Sequence, residues 1–137
     1  MLNTVNSSAV IKNSTITGDR QGILARLCTM ELENCTVACT GKYLEANAEK
    51  YTVGKNWGSG NEVPSAAIVV GDNSKNYGSE DEFQVVLTVV NTIFEVQGAA
   101  KSAVVSEDDN SKVSLTLDDD SKTSFESVLD DRRAAQI

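Results

Sequence analysis

The chain has 137 residues, of which 40% are hydrophobic, and a formal net charge of −8. This length can bury one core and little more, so we expect one domain. The acidic balance argues against nucleic acid or an anionic membrane surface as partner, and the lack of histidine argues against a zinc site or a Cys-His nucleophile pair.

The first residues, Met1-Leu2-Asn3-Thr4, show neither a basic start nor an apolar run. We therefore identify no signal peptide in this chain and expect no membrane insertion. The segment Met1 to Val5 is expected to cover one end of the fold.

An asparagine recurs within the same short apolar pattern three times. The copies are Ile11-x-Asn13-x-x-Ile16, Leu32-x-Asn34-x-x-Val37 and Val89-x-Asn91-x-x-Phe94, and the first two are 21 residues apart. Short strands repeated in this way, without helical periodicity between them, are typical of a solenoid whose rungs bury each other's apolar faces.

The inward positions change parity at each asparagine. In the second copy they are Met30 and Leu32 before it, then Cys35, Val37 and Cys39 after it. The inward positions on either side of the asparagine, Leu32 and Cys35, are three residues apart, whereas a flat strand directs every second residue to one face. The pattern therefore predicts a corner at each asparagine. Asparagine tolerates left-handed backbone angles, and its amide both donates and accepts; we expect Asn13, Asn34 and Asn91 to form a buried structural ladder.

A second apolar run follows each copy. These runs are Gly22 to Ala25, Ala66 to Val70 and Ser102 to Val105. A degraded fourth copy places Leu115 and Leu117 before Asp119, but Lys122 stands where the apolar residue should be, which suggests the last rung. Residues 126–137 are interpreted either as a short helical cap or as a tail.

These asparagine-cornered rungs resemble the right-handed parallel β-helix of the pectate-lyase-like superfamily. The resemblance implies an all-β fold: a short right-handed parallel β-helix of three to four rungs over residues 1–125, with a loop insertion at 40–65 and a C-terminal cap. It also implies an extracellular or cell-surface location and action on polysaccharides. No catalytic signature of the superfamily is matched.

The insertion and a second loop, 71–82, hold every tyrosine and the tryptophan of the chain. We interpret them as a carbohydrate-stacking platform with polar neighbours. The alternative is that these rings anchor the insertion to the rungs. The candidate residues are Tyr43, Tyr51, Trp57, Asn61, Glu62 and Tyr77.

Acidic residues cluster towards the C-terminus. We interpret these runs as solvated loops and expect no cofactor. The alternative is calcium, which needs converging carboxylate oxygens. Its candidate ligands are Asp108, Asp109, Asp118 and Asp120.

Cys35 and Cys39 lie four residues apart on one expected strand, which separates their Cα atoms by about 13 Å, beyond disulfide reach. We expect core cysteines.

Three functions remain open at this stage. The preferred one is a non-catalytic extracellular or cell-surface β-helix module, adhesin-like, that binds carbohydrate. The alternatives are a calcium-dependent polysaccharide lyase or related glycan-active enzyme, and a structural solenoid that associates with itself through its open ends.

Overall fold

The computed structural model describes residues 2–5, 7–42, 66–71, 84–97, 102–106 and 112–128. Over these residues the chain is mostly β, with three parallel sheets and one helix. Sheet 1 contains, in spatial order, β1 (Leu2–Val5), β4 (Gln21–Arg26), β7 (Ala66–Gly71) and β10 (Ser102–Ser106). Sheet 2 contains β2 (Ser8–Lys12), β5 (Thr29–Glu33), β8 (Gln84–Val90) and β11 (Lys112–Leu117). Sheet 3 contains β3 (Thr15–Gly18), β6 (Thr36–Cys39) and β9 (Ile93–Val96), and helix α1 (Asp119–Ser127) follows β11.

Successive strands visit sheets 1, 2 and 3 in turn, and we call three successive elements a pass. The first pass is β1 to β3, the second β4 to β6 and the third β7 to β9, while the fourth is β10, β11 and α1. Every strand pairs in parallel with its counterpart in the adjacent pass. The expected repeat is therefore a set of strands in register: Ile11 pairs with Leu32, and Leu32 with Val89.

The three asparagines lie at the turns between sheets 2 and 3. Their φ angles are 52° at Asn13, 54° at Asn34 and 44° at Asn91, all in the left-handed region that asparagine tolerates. Leu27, between β4 and β5, also has a φ of 52°. The asparagine corners were predictable from the parity change, whereas the sequence contains no such signal at Leu27.

The core lies between the sheets and uses the predicted inward positions. Met30, Leu32 and Val37 are fully buried in the second pass, and Leu87, Val89 and Phe94 repeat them in the third. Ala9, Ile11 and Ile16 of the first pass are only partly buried against this cluster. Burial is therefore greatest in the middle passes, as expected when each strand is covered by its neighbours.

The two middle strands of sheet 1, β4 and β7, are buried on both faces. All six residues of β7 are buried, as are the first five of β4. Two-sided burial explains why these runs are continuously apolar instead of alternating.

The ends of the described chain are a strand and a helix. Leu2–Val5 is the edge strand of sheet 1, paired with β4. Helix α1 begins at Asp119, before the segment 126–137 that the sequence analysis interprets as a cap or a tail. Residues 129–137 lie outside the described part of the chain.

Candidate functional site

The candidate carbohydrate-binding residues all lie outside the described residues. These are Tyr43, Tyr51, Trp57, Asn61, Glu62 and Tyr77. The structure does describe where their segments join the sheets: the first segment ends at Ala66, where β7 begins, and the second follows Gly71, where β7 ends. Both aromatic-bearing segments therefore attach to opposite ends of one buried strand.

The start of the insertion is held against the first pass. The Thr40 amide donates to the Gly18 carbonyl at 3.0 Å, and its hydroxyl donates to Asp19 Oδ1 at 2.7 Å. The Lys42 amide in turn donates to the Thr40 hydroxyl at 3.3 Å. The chain thus leaves sheet 3 from a defined position.

A small apolar cluster separate from the main core lies on sheet 1. Leu24 pairs with Val69 in register, and both belong to this cluster with Ala66. Nearby, sheet 1 and β6 approach so closely that a Cβ at Gly22 would lie 2.7 Å from the Ala67 carbonyl oxygen and 2.8 Å from that of Ala38. Any side chain here would force the strands apart, so Gly22 permits the close approach of β4 to β6 and β7.

Two of the four calcium candidates, Asp118 and Asp120, are described. Asp118 Oδ1 accepts from the Ser121 amide and Oδ2 from the Asn91 amide, both at 2.9 Å. These bonds, chiefly those from Ser121, lower the pKa of the Asp118 carboxyl below its ordinary 3.8. Asp120 is exposed in the first turn of α1.

Asp108 and Asp109 lie outside the description. Within the described residues, no group of three or more Cys, Asp or Glu side chains converges as a metal site would require. Calcium binding stays a prediction.

The asparagine side chains of three passes are hydrogen-bonded in a ladder. Asn34 Nδ2 donates to Asn13 Oδ1 at 3.2 Å, and Asn91 Nδ2 donates to Asn34 Oδ1 at 2.6 Å. All three asparagines are exposed, so the expectation that they are buried is wrong. The left-handed backbone turns each amide outwards at the corner while its neighbours keep facing the core.

A second set of hydrogen bonds spans each corner. The residue after each asparagine donates its side chain to the carbonyl two residues back: Ser14 to Lys12 at 2.8 Å, Cys35 to Glu33 at 3.3 Å and Thr92 to Val90 at 3.0 Å. From the sequence, Cys35 is identified only as an inward residue, and no role is assigned to Ser14 or Thr92. Their shared chemistry, a short side chain with one donor, was the signal that could have identified them.

The cysteines are free and buried, as expected. Cys35 also donates to the Ile11 carbonyl at 3.4 Å, and Cys39 donates to the Arg20 carbonyl at 3.0 Å. Both thiols therefore act in packing and hydrogen bonding between passes.

Helix α1 occupies the place in sheet 3 where the fourth pass would supply a strand. The Ser121 hydroxyl accepts from the Thr92 amide at 2.9 Å, and the Ser124 hydroxyl accepts from the Phe94 amide at 2.8 Å. Phe125 packs edge-on against Phe94 with ring centroids 6.2 Å apart. The helix thus covers the end of sheet 3 and satisfies amides of the last strand, a role that the sequence analysis missed.

Comparison with known proteins found no match among family models, curated proteins or solved structures. In the described part of the chain, no helix has the length and apolar character needed to span a bilayer.

Proposed function

We propose that this chain is a short right-handed parallel β-helix of the pectate-lyase-like kind. Three observations support the solenoid: every strand pairing is parallel, the passes keep one register, and an asparagine ladder joins their corners. A right-handed path is the expected one because parallel crossover connections almost always take that hand.

We further propose that the β-helix is a non-catalytic extracellular or cell-surface module that binds carbohydrate through its inserted segments. The observation that carries this proposal is that both aromatic-bearing segments attach to the ends of β7, a strand buried on both faces. Sugar rings stack on aromatic faces, and such contacts need rings held by a rigid support. Tyr43, Tyr51 and Trp57 follow β6, and Tyr77 follows β7.

Affinity gel electrophoresis against acidic and neutral polysaccharides, with calcium and with chelator, tests this function. We expect one glycan to retard the chain and Trp57→Ala to weaken that binding about tenfold or more, since stacking contacts of this kind contribute on the order of 1 kcal/mol or more. The matched control is Ile93→Ala, which truncates an exposed apolar side chain of sheet 3.

Three outcomes separate the interpretations. An absence of retardation by every glycan contradicts carbohydrate binding. Retardation that Trp57→Ala leaves unchanged places the binding surface elsewhere. Retardation that requires calcium supports a metal site at the acidic runs.

A further inference from the structure

The two ends of sheet 3 are finished differently, whereas sheet 2 has an outermost strand at each end, β2 and β11. At the far end, α1 covers sheet 3, and its serine hydroxyls accept from amides of the last strand. At the near end, β2 and β3 are the outermost strands of their sheets. An outermost strand offers main-chain donors and acceptors to another strand.

Two main-chain hydrogen bonds identify which groups of β2 face outwards. The Asn13 amide donates to the Glu33 carbonyl at 2.9 Å, and the Ser7 carbonyl accepts from the Thr29 amide at 3.1 Å. In a parallel pair, alternate residues direct both main-chain groups to the same neighbour. Ser7, Ala9, Ile11 and Asn13 therefore face β5, whereas Ser8, Val10 and Lys12 direct their amide and carbonyl groups away from it.

The side chains of β2 make this edge apolar at its centre. Val10 is 63% exposed, more than any other large hydrophobic residue in the described part of the chain. Ala9 and Ile11, on the inward face, are only partly buried. Lys12, at the end of the strand, is 2.5 Å from Glu33 Oε2, so its charge is already paired.

We propose that a second copy of this chain pairs with this edge, β2 against β2, antiparallel about a two-fold axis at Val10. In that register, Val10 lies opposite Val10 of the second copy, and Ala9 lies opposite Ile11. Lys12 lies opposite Ser8, so no like charges meet directly. The strand Ser8–Lys12 is thus complementary to itself, which is what a two-fold interface requires.

The structure also argues against head-to-tail stacking of copies. In such a stack, sheets 1 and 2 could continue from β10 and β11 of one copy to the next, but β3 would meet α1, where no strand is present to pair with it. Pairing of two near ends brings strand edge to strand edge, and the two-fold axis limits the assembly at this edge to two copies. This proposal does not depend on carbohydrate binding.

Sedimentation velocity of the full chain over a wide concentration range tests the proposal. We expect a reversible monomer–dimer equilibrium. Val10→Lys places two lysines opposite each other and should weaken dimerisation about tenfold or more. The matched control is Val90→Lys, which alters a 38% exposed valine of β8, an internal strand of sheet 2, and should leave the equilibrium unchanged.

Cysteine crosslinking tests the register independently. Directly opposed residues of a hydrogen-bonded antiparallel pair have Cα atoms about 5.5 Å apart, within the roughly 4.4 to 6.8 Å that a disulfide spans. Val10→Cys should therefore form a covalent dimer on mild oxidation. Val90→Cys should not, because β8 is an internal strand of sheet 2. The native cysteines are buried and should not interfere. A chain that stays monomeric, or a dimer that is insensitive to Val10→Lys and not crosslinked through position 10, overturns the proposal.

Discussion

Each asparagine corner depends on two residues with different tasks. The asparagine takes the left-handed backbone angle and joins the ladder, while the next residue donates its side chain back to the carbonyl two positions earlier. In the three passes that donor is Ser14, Cys35 and Thr92. A thiol thus takes the place of a hydroxyl at the middle one of the three corners.

Replacing Cys35 by threonine or by valine distinguishes the contribution of its hydrogen bond from the contribution of its packing. The two side chains have nearly the same shape, but only threonine can donate to the Glu33 carbonyl. Thr92 makes the equivalent hydrogen bond to the Val90 carbonyl in the next pass. We expect Cys35→Thr to be about 1 kcal/mol more stable than Cys35→Val, the usual net value of one hydrogen bond. Urea unfolding of both variants measures the difference. A more stable valine variant would show that Cys35 contributes only as an apolar group.

Helix α1 ends sheet 3 at β9 by accepting hydrogen bonds from the amides of Thr92 and Phe94. Asp118 is central to this arrangement because its carboxylate caps the helix at Ser121 and also accepts from the corner amide of Asn91. In the second pass the equivalent amide, that of Asn34, donates to a main-chain carbonyl, that of Val90. One side chain therefore replaces a main-chain acceptor that a further strand would have supplied.

The lowered pKa of Asp118 predicts an acid-sensitive helix. A carboxyl whose folded pKa lies below its unfolded value stabilises the fold above the unfolded value, near 3.8, and loses that contribution as pH falls through the folded pKa. Wild type should therefore be more stable than Asp118→Asn at neutral pH, and the difference should shrink as pH is lowered below about 3.8.

Thermal unfolding of both proteins between neutral and strongly acidic pH measures this effect. Asp120→Asn is the control, because it removes the same charge from an exposed position of the same helical turn. A stability difference between wild type and Asp118→Asn that does not change with pH would contradict the assigned role of the carboxylate.

The elements that could be predicted are those whose burial repeats. Alternation on either side of Asn34 placed β5 and β6, and the continuous apolar run from Ala66 placed β7. Helix α1 is not indicated by the repeat, because Leu115 and Leu117 continue the strand register and the change to helix after Asp118 depends on a capping bond that the repeat pattern does not contain. The candidate binding residues are predicted from their type and from their place in the insertion and the second loop, and they lie outside the described residues.

For the whole molecule, spatial order matters more than distance along the chain. Asn13 and Asn34 are 21 residues apart and Asn34 and Asn91 are 57 apart, yet both pairs are hydrogen-bonded neighbours. The longer connection is accommodated without loss of register, since Leu32 pairs with Val89 as Ile11 pairs with Leu32. The free energy lost when a core side chain is truncated should therefore depend on which pass the residue lies in, and not on its place in the sequence.

Truncation of equivalent core residues tests that view. Leu32 is fully buried between Ile11 and Val89, whereas Ile11 lies in the first pass and is only partly buried. We expect Leu32→Ala to cost about 3 to 4 kcal/mol and Ile11→Ala about 1 to 2 kcal/mol in the monomer, because the central site leaves the larger cavity.

Urea unfolding at low protein concentration compares the two variants, and equal costs would contradict a stack in which burial comes from neighbouring passes. The same measurement at high concentration links this argument to the proposed dimer. A second copy that covers β2 also covers Ile11, so the cost of Ile11→Ala should rise with protein concentration while that of Leu32→Ala, already fully buried in one copy, changes less.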